Sequence, residues 1–255
     1  KVEGEIAIVA LESKATLEVA AGASVGTLTS TTDNAVVSGE GEITAVAATN
    51  PITLSNAKVG TVTATAPVEL NAAVEKVEAK SANVAISGTG NVAEVEAAAP
   101  VQITNKSVDK VSVPADAENV TITVAKDVTI PVVETKANVE IAGEGKVSTV
   151  DALANDVAVT ASADTVAQVT AVGGATGVTV TDQTITVKTK AAAPSDVVFA
   201  EPETAEGKGK ITSAQSGLEY SVNGVTYNDF TTGTEFAPGT YYVRVKATGD
   251  TLASE

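Results

Sequence analysis

"NVAISGTGNV", residues 83–92, sets Gly88 and Gly90 directly after the alternating pair Val84/Ile86. A Gly-x-Gly that follows an apolar run can open a phosphate-cradling loop. Here the string returns as "NVEIAGEGKV" at 138–147 and, with Ala35 for the first Val, as "NAVVSGEGEI" at 34–43. The phosphate reading fails because no third glycine and no Lys-Ser/Thr ending is present and no helical pattern follows. The sister copies also carry Glu40, Glu42 and Glu144 where an anion would sit. Recurrence makes the motif punctuation instead, a corner in which glycine permits a positive φ or a tight turn.

Outward from that corner a period appears. The residues Thr16, Asn34, Pro51, Pro67, Asn83, Pro100, Asn119, Asn138, Asp156 and Gly177 each precede two aliphatic residues separated by one. These pairs run Leu17/Val19, Ala35/Val37, Ile52/Leu54, Val68/Leu70, Val84/Ile86, Val101/Ile103, Val120/Ile122, Val139/Ile141, Val157/Val159 and Val178/Val180. Alternation of period two marks a strand with one face buried. Between these anchors lies a second signature of aliphatics three apart: Val25/Leu28, Ile43/Val46, Val59/Val62, Val74/Val77, Val92/Val95, Val108/Val111, Val147/Val150 and Val166/Val169. The coil beginning at Val128 breaks it by placing Pro131 at the matching position.

Each unit of roughly 17 residues therefore offers two short strands and two corners, too little to bury a face alone but enough when units stack. The spacing predicts an all-β protein whose residues 1–190 form a parallel β-helix, a β-solenoid of about ten coils. At about 4.8 Å per coil the stack would be roughly 45–50 Å long. The anchor column, which tolerates Pro51, Pro67 and Pro100, reads as a corner because proline has no N–H for a ladder. Asn and Asp are the other residues that bond locally in turns; a row of asparagines recognising a ligand is the competing reading of the same column.

Composition agrees with thin, regular coils. The chain has 255 residues, 44% of them hydrophobic, with no Trp, Cys, Met or His and only 3% aromatic, so Val, Ala, Ile and Leu must fill the interior. The net charge is −16 and Arg244 is the only arginine. That balance points away from nucleic acid and anionic lipid, which need clustered Lys and Arg. No run approaches 18 apolar residues, so no membrane insertion is expected. The start "KVEGEIAIVALESK" lacks the order of a signal peptide, so an exported protein of this kind would carry its signal and wall anchor elsewhere.

Near residue 190 the composition changes. All seven aromatic residues lie between Phe199 and Tyr242, after the linker-like "KTKAAAPSD" at 188–196. "LEYSVNGVTY" carries Asn223-Gly224 between alternating residues, a two-residue hairpin signal. "GTYYVRVKATG" reads as a final strand entered by the Pro238-Gly239 turn. Residues 195–255 are thus expected to form a small antiparallel β-sandwich, Ig-like or FN3-like.

The stretch "ITSAQSGLEYSVNGVTYNDFTTGTEFAPGTYYVRVKATGDTLAS", 211–254, resembles the short repeated modules of cell-surface proteins from Gram-positive bacteria. The aliphatic coils with Gly-x-Gly corners are similar to β-helix repeats of S-layer-like and adhesin-like surface proteins. The resemblance implies an extracellular, multi-domain surface protein whose partners are host or cell-wall proteins or glycans.

No catalytic constellation accompanies it. Without His and Cys the common serine, cysteine and zinc hydrolase arrangements are excluded. A β-helix polysaccharide lyase or glycosidase would employ paired carboxylates, or an Asp cluster with Ca²⁺ and a basic residue. Glu75, Glu78, Glu94, Glu96, Asp109, Glu134, Glu140 and Glu144 supply carboxylates, yet they occupy outward or corner positions and read as a solvated acidic surface. Thr-x-Thr pairs at 61/63, 121/123, 179/181 and 184/186 would suit an ice plane only if aligned in one column. No D-x-D-x-D or nonapeptide calcium repeat is present. Exposed members of Tyr220, Tyr227, Tyr241 and Tyr242 are candidates for glycan contact. The sequence assigns no catalytic, cofactor-binding or metal-ligating residue. It predicts a structural or adhesive surface protein, with a carbohydrate-binding module as the alternative and a β-helix polysaccharide enzyme third.

Overall fold

A computed structural model describes the chain except residues 14, 15, 56, 57, 196, 201–206, 212–214, 232, 250 and 255. Asp196 of the linker and five positions within 211–254 therefore lie outside the described residues. Contacts divide the chain into two compact units: residues 1–170 with 175–187, and residues 171–174 with 188–255.

The first unit is a parallel β-solenoid. Among the described residues, ten short strands stack in chain order as one sheet: Thr16–Val19, Ala35–Gly39, Ile52–Ser55, Val68–Asn71, Val84–Ser87, Val101–Ile103, Val120–Val124, Val139–Gly143, Ala158–Thr160 and Thr179–Val180. Strands from the other side of each coil stack as a second sheet, from Glu5–Leu11 and Ser24–Ser30 up to Lys146–Ala152. Pro51, Pro67 and Pro100 each stand immediately before a first-sheet strand, where their missing N–H costs no ladder bond.

The interior is a set of aliphatic columns. In the first sheet Ala35 pairs with Ile52, Ile52 with Val68, and Val120 with Val139. In the second, Val25, Ile43, Val59, Val74 and Val92 succeed one another, as do Leu28, Val46, Val62, Val77 and Val95. The three-residue spacing has a geometric cause. Pairing passes from Val25↔Ile43 straight to Thr27↔Ala45, so two consecutive residues face outward and the strand bends around the core. Leu54, Leu70, Ile86, Ile103, Ile122 and Ile130 are fully buried, each burial stabilising by roughly 1.5–3 kcal/mol. Asn105, also fully buried, donates from Nδ2 to the Gly90 carbonyl (3.0 Å) and accepts the Ser107 N–H (2.7 Å).

Two expectations are corrected. The coil around Val128 keeps the three-residue spacing through Ile130/Val133, which pair with Val147/Val150; Pro131 is one of the outward residues at the bend. The first-sheet register is also less uniform than the anchors suggest. Leu17 pairs with Val37, Val68 with Ile86, Val101 with Ile122 and Val139 with Val159, each two residues beyond the expected partner. A shift of two leaves every inward side chain inward, so the core tolerates it.

The glycines mark close approaches between strand ends of successive coils. At the strand ends Gly39, Gly88 and Gly143 stand over Val19, Leu70 and Val124 of the previous coil with φ of 112°, 104° and 98°, the first two in the shifted register and the third in the expected one. A Cβ at Gly88 would collide with the Leu70 carbonyl oxygen. Two residues on, the N–H groups of Gly41, Gly90 and Gly145 donate to those same three carbonyls at 3.1, 2.8 and 3.0 Å. One corner device thus recurs three times, and the second glycine's N–H is used to join coils.

The second unit contains two small antiparallel sheets among its described residues. Gly209–Ile211 lies between Phe199–Ala200 and Glu235–Phe236, and Leu218–Ser221 lies between Asn228–Asp229 and Tyr242–Val245. Tyr220 meets Phe236 edge-on at 4.9 Å, and Phe236 meets Tyr241 at 4.8 Å, placing an aromatic core between the sheets. The turn at Asn223-Gly224 is wider than a two-residue hairpin, for Tyr220 pairs with Asn228 and only Gly224 of the two has positive φ. Asn223 Oδ1 accepts the N–H groups of Val225 and Thr226, and Ser221 Oγ accepts those of Asn223 and Gly224, so side chains hold the loop open. The strand Tyr242–Val245 is not the last: Thr251 and Leu252 pair in parallel with Thr189 and Lys190.

Candidate functional site

The carboxylates sort themselves once the register is known. On the outer face of the second sheet Lys76 stands opposite Glu94, and Glu78 opposite Glu96. Glu96 receives Lys76 Nζ at 2.7 Å and Lys80 Nζ at 3.0 Å. Lys110 lies 3.4 Å from Glu94 and 3.2 Å from Glu134, while Ser112 Oγ donates to Glu94 at 2.7 Å. These groups are a quarter to a third exposed and form an ionic ladder along the solenoid axis. The hydrogen bond from Lys76 holds the Glu96 carboxyl below its ordinary range, and that from Ser112 does the same for Glu94. The hydrogen bonds to Glu96 and Glu134 raise Lys76, Lys80 and Lys110. Such a ladder ties four coils together, and the lowering of Glu94 and Glu96 moves both away from the range of a general acid.

The other carboxylates stand apart. Glu140 accepts the Thr121 hydroxyl at 3.0 Å and Asp109 accepts Asn91 Nδ2 at 3.2 Å. Among the described residues no three acidic side chains gather as a metal site, and no helix is long and apolar enough to cross a membrane.

The Thr-x-Thr pairs do not stack as pairs. Thr61/Thr63 lie in the second sheet and Thr184/Thr186 precede the strand that starts at Val187, while Thr121/Thr123 and Thr179/Thr181 belong to the first sheet, where Thr121 and Thr181 share a column only with Glu140 and Thr160 between them. An ordered threonine plane therefore does not form from them.

The tyrosines also separate. Tyr220 and Tyr241 belong to the aromatic core, and Tyr241 donates its hydroxyl to the Ala237 carbonyl at 2.9 Å. One face of Tyr227 is covered by the Arg244 guanidinium, 3.5 Å from the ring centroid, while Arg244 Nε donates to the buried Glu219 at 2.5 Å. Tyr242 is different: it is 50% exposed, its ring lies beside Gly224, and Val222 and Val225 nearby on the loop are exposed too. Sequence spacing did not single it out, because four tyrosines share the same short segment.

The anchor column behaves as a corner. Asn34, Asn119 and Asp156 have φ of 57°, 47° and 58°, a region that Asn and Asp enter more easily than other side chains. Asn138 uses Oδ1 to accept the Ala158 N–H of the next coil at 2.9 Å, and Asn155 accepts the Thr176 N–H at 2.9 Å. Around these residues the corners of three successive coils, 117–119, 136–138 and 155–157, enclose a groove of about 290 Å³. Comparison with protein families, with curated proteins and with solved structures finds no match to this chain.

Proposed function

We propose that this protein is a structural and adhesive component of a bacterial cell surface, a stiff spacer whose lateral faces meet cell-wall or host proteins and glycans. The observation that carries the reading is the unbroken aliphatic interior, running from Val19 to Val169 through stacked parallel coils. A rod of this kind resists bending because each coil is bonded to both neighbours along two sheets and packs into one continuous core. The axial ionic ladder adds cross-coil ties, and the net charge of −16 keeps the rods soluble and apart. The likeness of residues 211–254 to surface modules of Gram-positive bacteria supports an extracellular setting.

The test is retention of the intact chain on purified Gram-positive cell-wall sacculi and on a panel of host matrix proteins and glycans, alongside assays for polysaccharide cleavage. Saturable retention without turnover is the expected result. Release of reducing ends or unsaturated sugars from any polysaccharide overturns the reading in favour of an enzyme. A second reading, a carbohydrate-binding module, rests on Tyr242 alone, the one tyrosine held against a glycine with half its surface free. It requires that Tyr242→Ala abolish glycan retention.

A further inference from the structure

We propose that the corner groove over residues 117–157 is a binding site for a neutral, linear oligosaccharide lying along the solenoid axis. The proposal deepens the adhesive reading and rests on it. The groove of about 290 Å³ adjoins a second depression of about 220 Å³, which shares Asn119 and Asn138 and adds Glu140, Ala158 and Thr160. Together they form a trough crossing successive coils, with donors and acceptors repeating at the coil spacing of about 4.8 Å. A ligand that repeats along its own length suits such a trough better than a compact metabolite.

The polar groups in the trough are arranged ahead of any ligand. Asn138 and Asn155 each commit Oδ1 to a backbone N–H of the following coil. Each amide plane is thereby fixed, and its Nδ2 hydrogens have no protein acceptor among the described residues. The Asn119 side-chain amide has no protein partner among them either. Glu118 and Asp156 supply acceptors, and Lys136 places one cation among them. Amide donors flanked by carboxylate acceptors match vicinal hydroxyls, each of which both donates and accepts. Phosphate-rich or sulfated chains are repelled by the acidic surface. No aromatic ring in the first unit offers a stacking platform, so affinity rests on hydrogen bonds alone and a dissociation constant on the order of 1 mM is expected.

The experiment is a titration of the full ¹⁵N-labelled chain with cellotetraose and with chitotetraose, each against its monosaccharide. Side-chain NH₂ resonances of Asn119, Asn138 and Asn155 should shift with a tetrasaccharide and far less with the monosaccharide. The decisive variants are Asn138→Asp and Asn155→Asp. Each keeps the oxygen that holds the neighbouring coil, removes the NH₂ donor and adds one negative charge to which a neutral sugar is indifferent, so the backbone spectrum should persist while affinity falls at least about tenfold in the double variant. Absence of shifts with both tetrasaccharides, or unchanged affinity in the double variant, overturns the proposal. Retention on sacculi that survives the double variant sinks this site but leaves the adhesive reading standing; loss of all retention in the unmodified chain sinks both.

Discussion

Replacing Gly88 by Ala tests the corner device directly. At φ 104° an alanine lies outside the left-handed basin that Asn34 and Asp156 use, in backbone space nearly reserved for glycine. Such a residue costs about 1–3 kcal/mol. The new Cβ also points into the Leu70 carbonyl, the acceptor of the 2.8 Å bond from Gly90. Relieving that collision lengthens the cross-coil bond and forfeits about 1 kcal/mol more. The sum is about 3 kcal/mol. Gly22→Ala is the control: φ is 76° there and nothing lies within 4 Å of the added methyl, so only the left-handed cost of about 1 kcal/mol applies. With a urea slope of about 2–3 kcal/mol/M, Gly88→Ala should lower the midpoint by about 1 M and Gly22→Ala by less than half as much. Far-UV circular dichroism reads this transition, whereas tyrosine fluorescence reports only on the second unit, since all four tyrosines lie between Tyr220 and Tyr242. Equal midpoints for the two variants would falsify the account of the glycines.

Ile122→Ala empties a fully buried position in the middle of the stack and should cost about 2–5 kcal/mol in the same far-UV transition; a loss under 1 kcal/mol would mean the coils collapse around the cavity. Glu96→Gln removes the shared partner of Lys76 and Lys80 and, at an outer face screened by solvent, should cost about 1 kcal/mol or less at neutral pH. Because Glu94 and Glu96 have depressed folded-state pKa values, their stabilisation is present above the ordinary carboxylate range and lost as pH falls through the depressed values. Stability measured down that acid limb should therefore fall less steeply in Glu96→Gln than in the parent, and an unchanged slope would remove the ladder from the stability account. Arg244→Ala strands the buried Glu219 and uncovers Tyr227; about 2–3 kcal/mol should vanish from the tyrosine-detected transition, while a neutral effect would show that water replaces the guanidinium.

Much of this architecture is legible in the sequence. Val-x-Ile alternation, proline at the anchor column and Gly-x-Gly at three coils already implied short strands, corners and stacking, because burial alone forces period two and proline alone excludes a ladder position. The turn at Asn223 departs from its Asn-Gly signal for a local reason. Asn-Gly permits a tight hairpin, but the Ser221 hydroxyl and the Asn223 amide compete for the same backbone N–H groups and stabilise a wider loop. The ionic ladder was invisible because its partners are 16 to 24 residues apart, as Lys80/Glu96 and Lys110/Glu134 show.

Register is where sequence spacing stops being informative, and it is also what places the outward groups. Inward columns of Val and Ile are satisfied equally by a pairing or by its neighbour two residues away, so hydrophobic burial selects the face and leaves the alignment to the corners. Outward groups have no such degeneracy. One residue before Val120 and Val139, which pair, Asn119 stands over Asn138; one residue before Val139 and Val159, which also pair, Asn138 stands over Ala158 and takes its N–H. Had the anchors stacked at constant spacing, Asn138 would lie over Asp156 and the Ala158 N–H would have no side-chain oxygen to bond. The extra two residues in that coil thus orient the Asn138 amide within the groove.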